Sequence, residues 1–298
     1  MTTSTISLGE IFALTTAVFW AFAVIMFKKS GERVHPIMLN LFKDSFAFVL
    51  LIPTAYLFGQ NLLRGAPGDE WLLLAASGVI GIGIADTFYF MALNRLAAGL
   101  VAIVACLYSP GIITMSLLFL GESLTIMQIA GASLIVVAVL TGVSRKGLPQ
   151  TTRKDLVLGI IFGMIAVLAN GTGIVMIKPL LERSPLLWVT EVRLAAGILS
   201  LLLVLAVLPN SRAIFRSLHS VGSWRYTLAG SFSGVYLAMV FWLAGMKWAK
   251  ASIASALNQT SNLFIVIFAA LILKEAITAR RAVGILLGVT GAIMVSLG

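Results

Sequence analysis

The strongest constraint on this chain is a succession of apolar runs separated by short polar gaps. The runs cover residues 8–27, 36–58, 71–94, 97–120, 126–144, 156–177, 186–208, 225–246, 250–273 and 282–297. A bilayer-crossing helix needs about 20 consecutive apolar residues, whereas a barrel strand reads as an alternation over about ten. These runs are continuous. They predict an all-α integral membrane protein of ten transmembrane helices and exclude a β-barrel. Composition agrees: 60% of the residues are hydrophobic and only 11% charged, against about 45–50% and about 25% in soluble domains. Too few charges are present to cover a water-facing surface, so a soluble enzyme is excluded. The first run lacks a basic leader and an A-x-A site and is followed by Lys28-Lys29, so it reads as a span rather than a cleavable signal.

The formal net charge of +10 would point to nucleic acid in a soluble protein. Here the cations sit in the gaps between apolar runs, where they orient a membrane protein. No nucleic-acid partner is expected; the partners expected are the lipid bilayer and a small-molecule substrate. The one cysteine, Cys106, lies in an apolar run and can form no intramolecular disulfide. Two histidines, His35 and His219, do not make a metal site, and no HExxH, CxxC or Walker motif occurs. No cofactor, metal or catalytic set is therefore expected, and the chain does not read as an enzyme.

The least apolar stretch, Arg145 to Asp155, divides five runs from five and predicts two halves, 1–144 and 156–298, joined by a linker at 145–155. A repeat supports the division. Gly9 and Ile25-Met26-Phe27-Lys28 match Gly159 and Val175-Met176-Ile177-Lys178 at an offset of 150. His35-Pro36 matches Ser184-Pro185 at 149, Lys43 matches Arg193 at 150, and Glu122 and Gly131 match Glu275 and Gly284 at 153. An odd number of spans per half makes the second half enter from the opposite side. The expected fold is thus a 5+5 inverted-topology repeat, an arrangement of secondary transporters whose substrate site lies near the midplane.

The residues that carry the repeat also carry a resemblance. Gly121-Glu122-x-Leu124-Thr125-x-x-Gln128-x-x-Gly131 resembles the GE-x-LT-x-x-Q-x-x-G segment of the drug/metabolite transporter superfamily, EamA type. Lys274-Glu275-x-Ile277-Thr278 with Gly284 is similar to a second copy. Trp20, Pro110, and Tyr89-x-x-Ala92-Leu93 before Ala97-Ala98-Gly99 resemble the same pattern, which covers essentially the whole chain. The resemblance implies an exporter or exchanger of small metabolites in a bacterial inner membrane. Members handle amino acids, drugs, nucleotide sugars or sugar phosphates. The second copy departs from the pattern, with Lys274 in place of Gly and Asn262 or Leu263 where Pro110 would recur.

Lys and Arg number 14 on the side of the first loop and 5 on the side of both termini. The positive-inside rule then places both termini outside, while the resemblance implies cytoplasmic termini.

Ionisable groups inside spans are costly and default to functional candidates. Asn40, Lys43 and Asp44 share one flank of the second run, and Asp86 and Tyr89 stand three apart in the third. In the seventh run Thr190, Arg193 and Gly197 share a face and Glu191 points elsewhere. Each has a plainer reading as an interhelix bond or a snorkelling side chain. Lys43 and Asp86 lie at matching depths of about 10 and 12 Å from one side, which predicts a charge pair. With Asp44, Glu191 and Arg193 they form the candidate gating set. Arg193 occupies the Lys43 position of the second half, where its expected neighbour near Ala238 offers no acid. The pair would then gate one side only.

The ninth run carries Asn258-Gln259-Thr260-Ser261-Asn262, and the sixth carries Asn170-Gly171-Thr172-Gly173, which reads either as a kink facing a cavity or as close helix packing. The candidate substrate-binding set is Trp20, Asp86, Tyr89, Tyr108, Asn170, Tyr236, Asn258, Gln259, Ser261 and Asn262. Polar groups would orient a ligand in a mostly apolar pocket walled by Trp20, Tyr108 and Tyr236. The fifth and tenth runs lack ionisable groups, and Gly284, Gly288 and Gly291 mark a packing or homodimer face. The function expected is alternating-access transport of a small polar or amphipathic metabolite such as an amino acid. A flippase for lipid-linked substrates is the alternative, and a lipid-modifying enzyme would need an acidic or histidine cluster at a membrane edge that the sequence lacks.

Overall fold

The computed structural model describes residues 8–62, 64–108, 125–142, 152–218, 224–248 and 257–297. Among them every regular element is helical. Helix α1 (Leu8–Gly31) has Glu10 in its first turn and Lys28 and Lys29 in its last, matching the helix dipole. Helix α2 (Pro36–Leu57) starts with Pro36 behind His35, whose Nδ1 accepts from the Ile37 N–H. It ends in a Schellman turn: Gly59 takes φ +66°, its N–H bonds the Tyr56 carbonyl, and the Gln60 N–H bonds the Ala55 carbonyl.

Helix α3 (Gly68–Arg95) contains a π segment, Val79–Ile84, and leads through a sharp turn at Leu96 into α4 (Ala98–Ala105). Helix α5 (Ile126–Gly142) opens on a reciprocal cap. The Thr125 N–H donates to Gln128 Oε1, and the Gln128 N–H to Thr125 Oγ1. The second half comprises α6 (Arg153–Val175), α7 (Lys178–Arg183), α8 (Leu186–Val207), α9 (Ser211–Ser217), α10 (224–248), α11 (Ser261–Ile272) and α12 (Ala279–Leu297). Helix α10 carries its own π segment, Ser231–Leu237, at offsets of 152 and 153 from that of α3.

Among the described residues five helices are long and apolar enough to cross a membrane: α1, α2, α3, α6 and α8. The other five runs fall on helices that are shorter, π-interrupted, basic at one end or only partly described, so the count of ten stays an expectation from sequence. Apolar side chains stand outward along several helices. Leu140 and Leu271 are 76% and 72% exposed, as suits a surface solvated by lipid.

The two halves interlock reciprocally. Helix α1 packs along α10, and its repeat counterpart α6 packs along α3. Helix α2 meets the π segment of α10, and α8 meets that of α3; α4 lies on α11 and α5 on α12. The α5–α12 seam uses Gly131 and Gly291: a Cβ on either would come within 2.7 Å of the other's carbonyl. The glycine stripe of the tenth run is thus engaged within the chain. The Asn170–Gly173 segment resolves toward close packing. Helix α6 runs unbroken to Val175, and a Cβ on Gly173 would sit 2.8 Å from Gly81 Cα.

Candidate functional site

The α2–α3 contact concentrates the buried charge. Lys43, only 3% exposed, donates to Asp44 Oδ1 at 2.5 Å and to Asp86 Oδ2 at 2.7 Å, with the Phe90 ring 5.9 Å away. The structure therefore places Lys43 and Asp86 in direct contact. Asp44 is 1% exposed and shares the same ammonium, a contact that the depth argument does not supply. The Asp86 side chain keeps 25% of its surface open, so it is the accessible acid of the group.

One turn away, Asn40 braces the π segment. Its Nδ2 donates to the Ile82 carbonyl at 3.0 Å, the Gly83 carbonyl at 3.3 Å and Thr87 Oγ1 at 3.0 Å. A π segment breaks the regular helical register and leaves carbonyls open to side-chain donors. The same segment takes the Asn170 amide on the Gly81 carbonyl at 3.2 Å, and Ser77 Oγ reaches back to the Gly173 carbonyl at 2.5 Å. Asn170 therefore joins α6 to α3 beside the charge cluster.

Arg193 corrects an expectation. It does not look toward the Ala238 region of its own half. Its backbone lies against α3, where a Cβ on Gly78 would fall 2.2 Å from the Arg193 carbonyl. Its guanidinium lies beside Gly81 and within electrostatic reach of Asp86 and Tyr108. The cause is backbone approach: Gly78, Gly81 and Gly197 let α3 and α8 come close enough for the cation to cross between halves. Lys43, Asp44 and Asp86 thus make one contact cluster, and Arg193 of the other half lies in its electrostatic neighbourhood beside Gly81. Glu191 stays outside the cluster, 5% exposed, with neither carboxylate oxygen hydrogen-bonded among the described residues.

The aromatic candidates separate. Trp20 and Tyr89 meet in a tilted contact at 6.3 Å, and Tyr89 meets Phe90 at 5.9 Å, which puts both beside the charge cluster. Tyr108, half-buried, shares the electrostatic neighbourhood of Arg193. Tyr236 instead meets Thr54 Oγ1 of α2 at 3.1 Å and Phe232 of its own π segment. The polar belt of the ninth run lies on a turn at Thr260, whose hydroxyl bonds the Leu257 carbonyl at 2.5 Å. Asn262 is 4% exposed, and its Nδ2 donates to Gln259 Oε1 at 3.3 Å and Cys106 Sγ at 3.5 Å, joining α11 to the end of α4. Ser261 is 6% exposed beside it, and Asn258 Oδ1 is buried with no partner among the described residues.

Contacts at the two ends of this interface have roles that sequence leaves open. Glu275 accepts from the Ala98 N–H at 2.8 Å and the Gly99 N–H at 3.3 Å, so the second-half carboxylate caps α4 of the first half. Lys28 meets the opposite end of the same turn, at the Leu93 carbonyl and at the Leu96 carbonyl 2.7 Å away. At the other side Arg183 pairs with Glu70 at 2.9 Å, Gln60 Oε1 accepts from the Leu187 N–H at 3.1 Å, and Trp71 meets Trp188 edge-on at 5.4 Å. Glu122 and Pro110 lie outside the described residues. Among the described residues no group of His, Cys, Asp and Glu could hold a metal ion.

Residues 7–143 and, separately, 157–297 match the model of the EamA-like transporter family. An "Uncharacterized transporter" of Archaeoglobus fulgidus is 25% identical over 283 residues, 92% of each chain. An "Uncharacterized transporter" of Synechocystis sp. is 26% identical over 236 residues, 78% of this chain and 67% of that one. A solved crystal structure superposes with a TM-score of 0.68 at 20% identity, covering 97% of this chain and 96% of the other, a likeness of fold.

Proposed function

Because the chain belongs to the EamA-like transporter family, we propose that it is a secondary exporter or exchanger of a small zwitterionic metabolite such as an amino acid, working by alternating access between two inverted five-helix halves. It is a multi-pass membrane protein, and its place in this reading is a bacterial inner membrane. The observation that carries the proposal is the mixed-charge cluster at the interface of the halves. Arg193 offers a guanidinium whose planar fork suits a carboxylate. Asp86, the one acid of the cluster with open surface, suits an ammonium. Lys43 lies behind it, its one ammonium shared between Asp44 and Asp86, so one negative charge of the three groups is left over. Trp20, Tyr89 and Tyr108 supply apolar wall, and Asn258 an unspent acceptor. Few oriented polar groups in an apolar setting are the usual design of a ligand site.

Asp86 and Arg193 come from different halves, so relative motion of the halves changes the site. Reciprocal packing of α1 on α10 and α6 on α3 supports such rocking. Uptake of labelled amino acids into proteoliposomes tests the reading. Saturable uptake without ATP, weakened in Asp86→Asn and in Arg193→Lys, is expected. Lipid scrambling in the same vesicles without amino-acid uptake would replace it with a flippase.

A further inference from the structure

Glu191 has no part in the site above, and its setting is unlike that of the other buried acids. Asp44 holds Lys43, Glu70 holds Arg183, and Glu275 holds two backbone N–H groups. Glu191 is 5% exposed and neither of its oxygens has a hydrogen-bond partner among the described residues. It is the sixth residue of α8, about 8 Å from that helix's start at 1.5 Å per residue, and α8 is one of the five long apolar helices.

The elements packed on α8 carry charged groups that are otherwise engaged. From α2 come Lys43 and Asp44, bound to each other; from α3 come Asp86, on Lys43, and Glu70, on Arg183. Arg193 of α8 itself faces Asp86 and Tyr108, and Arg64 lies over the Trp188 ring at 5.2 Å. Arg212 and Arg216 sit on α9, beyond the opposite end of α8. Among the described residues none of them makes a salt bridge or hydrogen bond to Glu191. The indole Nε1 of Trp188, three residues earlier, is likewise buried without a partner.

An isolated carboxylate in such a place costs far more than a neutral carboxylic acid. We propose that Glu191 is a proton-binding site: it holds one proton in the conformation seen here and releases it, as carboxylate and H⁺, in a conformation that admits water to the start of α8. The proton site stands on the geometry of Glu191 alone. Its link to cargo movement rests on the transporter reading above.

Infrared spectroscopy on the full chain in lipid vesicles, with glutamate carrying a ¹³C-labelled side-chain carboxyl, tests the site without any substrate. A labelled carboxylic-acid stretch present at neutral pH and absent in Glu191→Gln is expected. Absence of that band in the wild-type protein overturns the proposal whether or not the variant folds, and so does its persistence in the variant. Glutamine is the isostere of the protonated acid, so unchanged thermal stability of Glu191→Gln at neutral pH is also expected; a large loss would mean a paired carboxylate and overturn it. For the link to cargo, an imposed pH gradient should accelerate amino-acid uptake by the wild-type protein and leave Glu191→Gln unresponsive. A full response in the variant overturns the link. If the wild-type protein moves no amino acid, the transporter reading of the cargo falls, while the infrared band still decides Glu191.

Discussion

Lys43 shares one ammonium between two carboxylates, and this fixes the order of mutational costs. Removing it leaves Asp44 and Asp86 facing each other with no cation in contact. Breaking a buried ion pair by deleting one partner costs about 3–5 kcal/mol. Lys43→Ala should fall in that range. Asp86→Ala should cost less, because Lys43 keeps Asp44 and Asp86 is partly open. The swap Lys43→Asp with Asp86→Lys should recover only part of the loss, since Asp44 stays beside the new acid. Thermal unfolding of the purified variants measures all three; equal losses for Lys43→Ala and Asp86→Ala would contradict the shared ammonium. Depth along two consecutive helices made the Lys43–Asp86 contact legible. The shared flank put Asp44 near the pair, but depth compares two helices and does not reach a contact within α2, where the lysine's flexible stem bends sideways to its neighbour.

His35 gives a pH signature outside the spans. Its Nδ1 caps α2 by accepting from the Ile37 N–H, and burial holds the imidazole below its ordinary value of 6.5. The folded chain then binds this proton less readily than the unfolded one. The cap's contribution is present above about 6.5 and fades as pH falls below it. His35→Asn, which can cap without titrating, should flatten that part of the stability profile. An unaltered profile in His35→Asn would show that other groups set it.

At the scale of elements, helix ends were more legible than helix interiors. The Thr125-x-x-Gln128 spacing is a capping box, and its second copy at Thr278 keeps one arm, with the Arg281 N–H on Thr278 Oγ1 at 3.4 Å. Where the first copy has Gln128, Arg281 instead sends its guanidinium to the Ala276 carbonyl. The paired π segments were not legible, because their sequences share little: Val79–Ile84 reads VIGIGI and Ser231–Leu237 reads SFSGVYL. What they share is a helix of the other half pressed close, α6 through the Gly173 backbone on the first and α1 through the Ala23 and Phe27 side chains on the second. Gly173→Ala should therefore cost about 1–3 kcal/mol, since its Cβ meets the Gly81 backbone at 2.8 Å. Gly81→Ala should cost less, since its nearest neighbour, at 3.1 Å, is the movable end of Arg193. The reverse order in thermal unfolding would place the α3–α6 contact elsewhere.

At the scale of the molecule, the family model matches twice, at 7–143 and 157–297, and the repeat offsets with the polar linker lead to the expectation of two halves. Reciprocal helix packing could not be read from those offsets, because it depends on which small residues meet across the interface. The approach of Arg193 to the first half's acid was hidden for the same reason: two of the three glycines that permit it, Gly78 and Gly81, lie more than a hundred residues away in α3. These contacts make the interface itself the candidate site, with charge from both halves. The central claim is that this interface carries a zwitterion across the membrane. The most direct test is uptake of a labelled amino-acid panel into proteoliposomes holding the wild-type chain or Arg193→Lys with Asp86→Asn. The account predicts saturable uptake of at least one amino acid by the wild-type chain, independent of ATP and largely lost in the double variant. Wild-type vesicles that take up none of the panel, or a folded double variant that transports as well as the wild type, would contradict it.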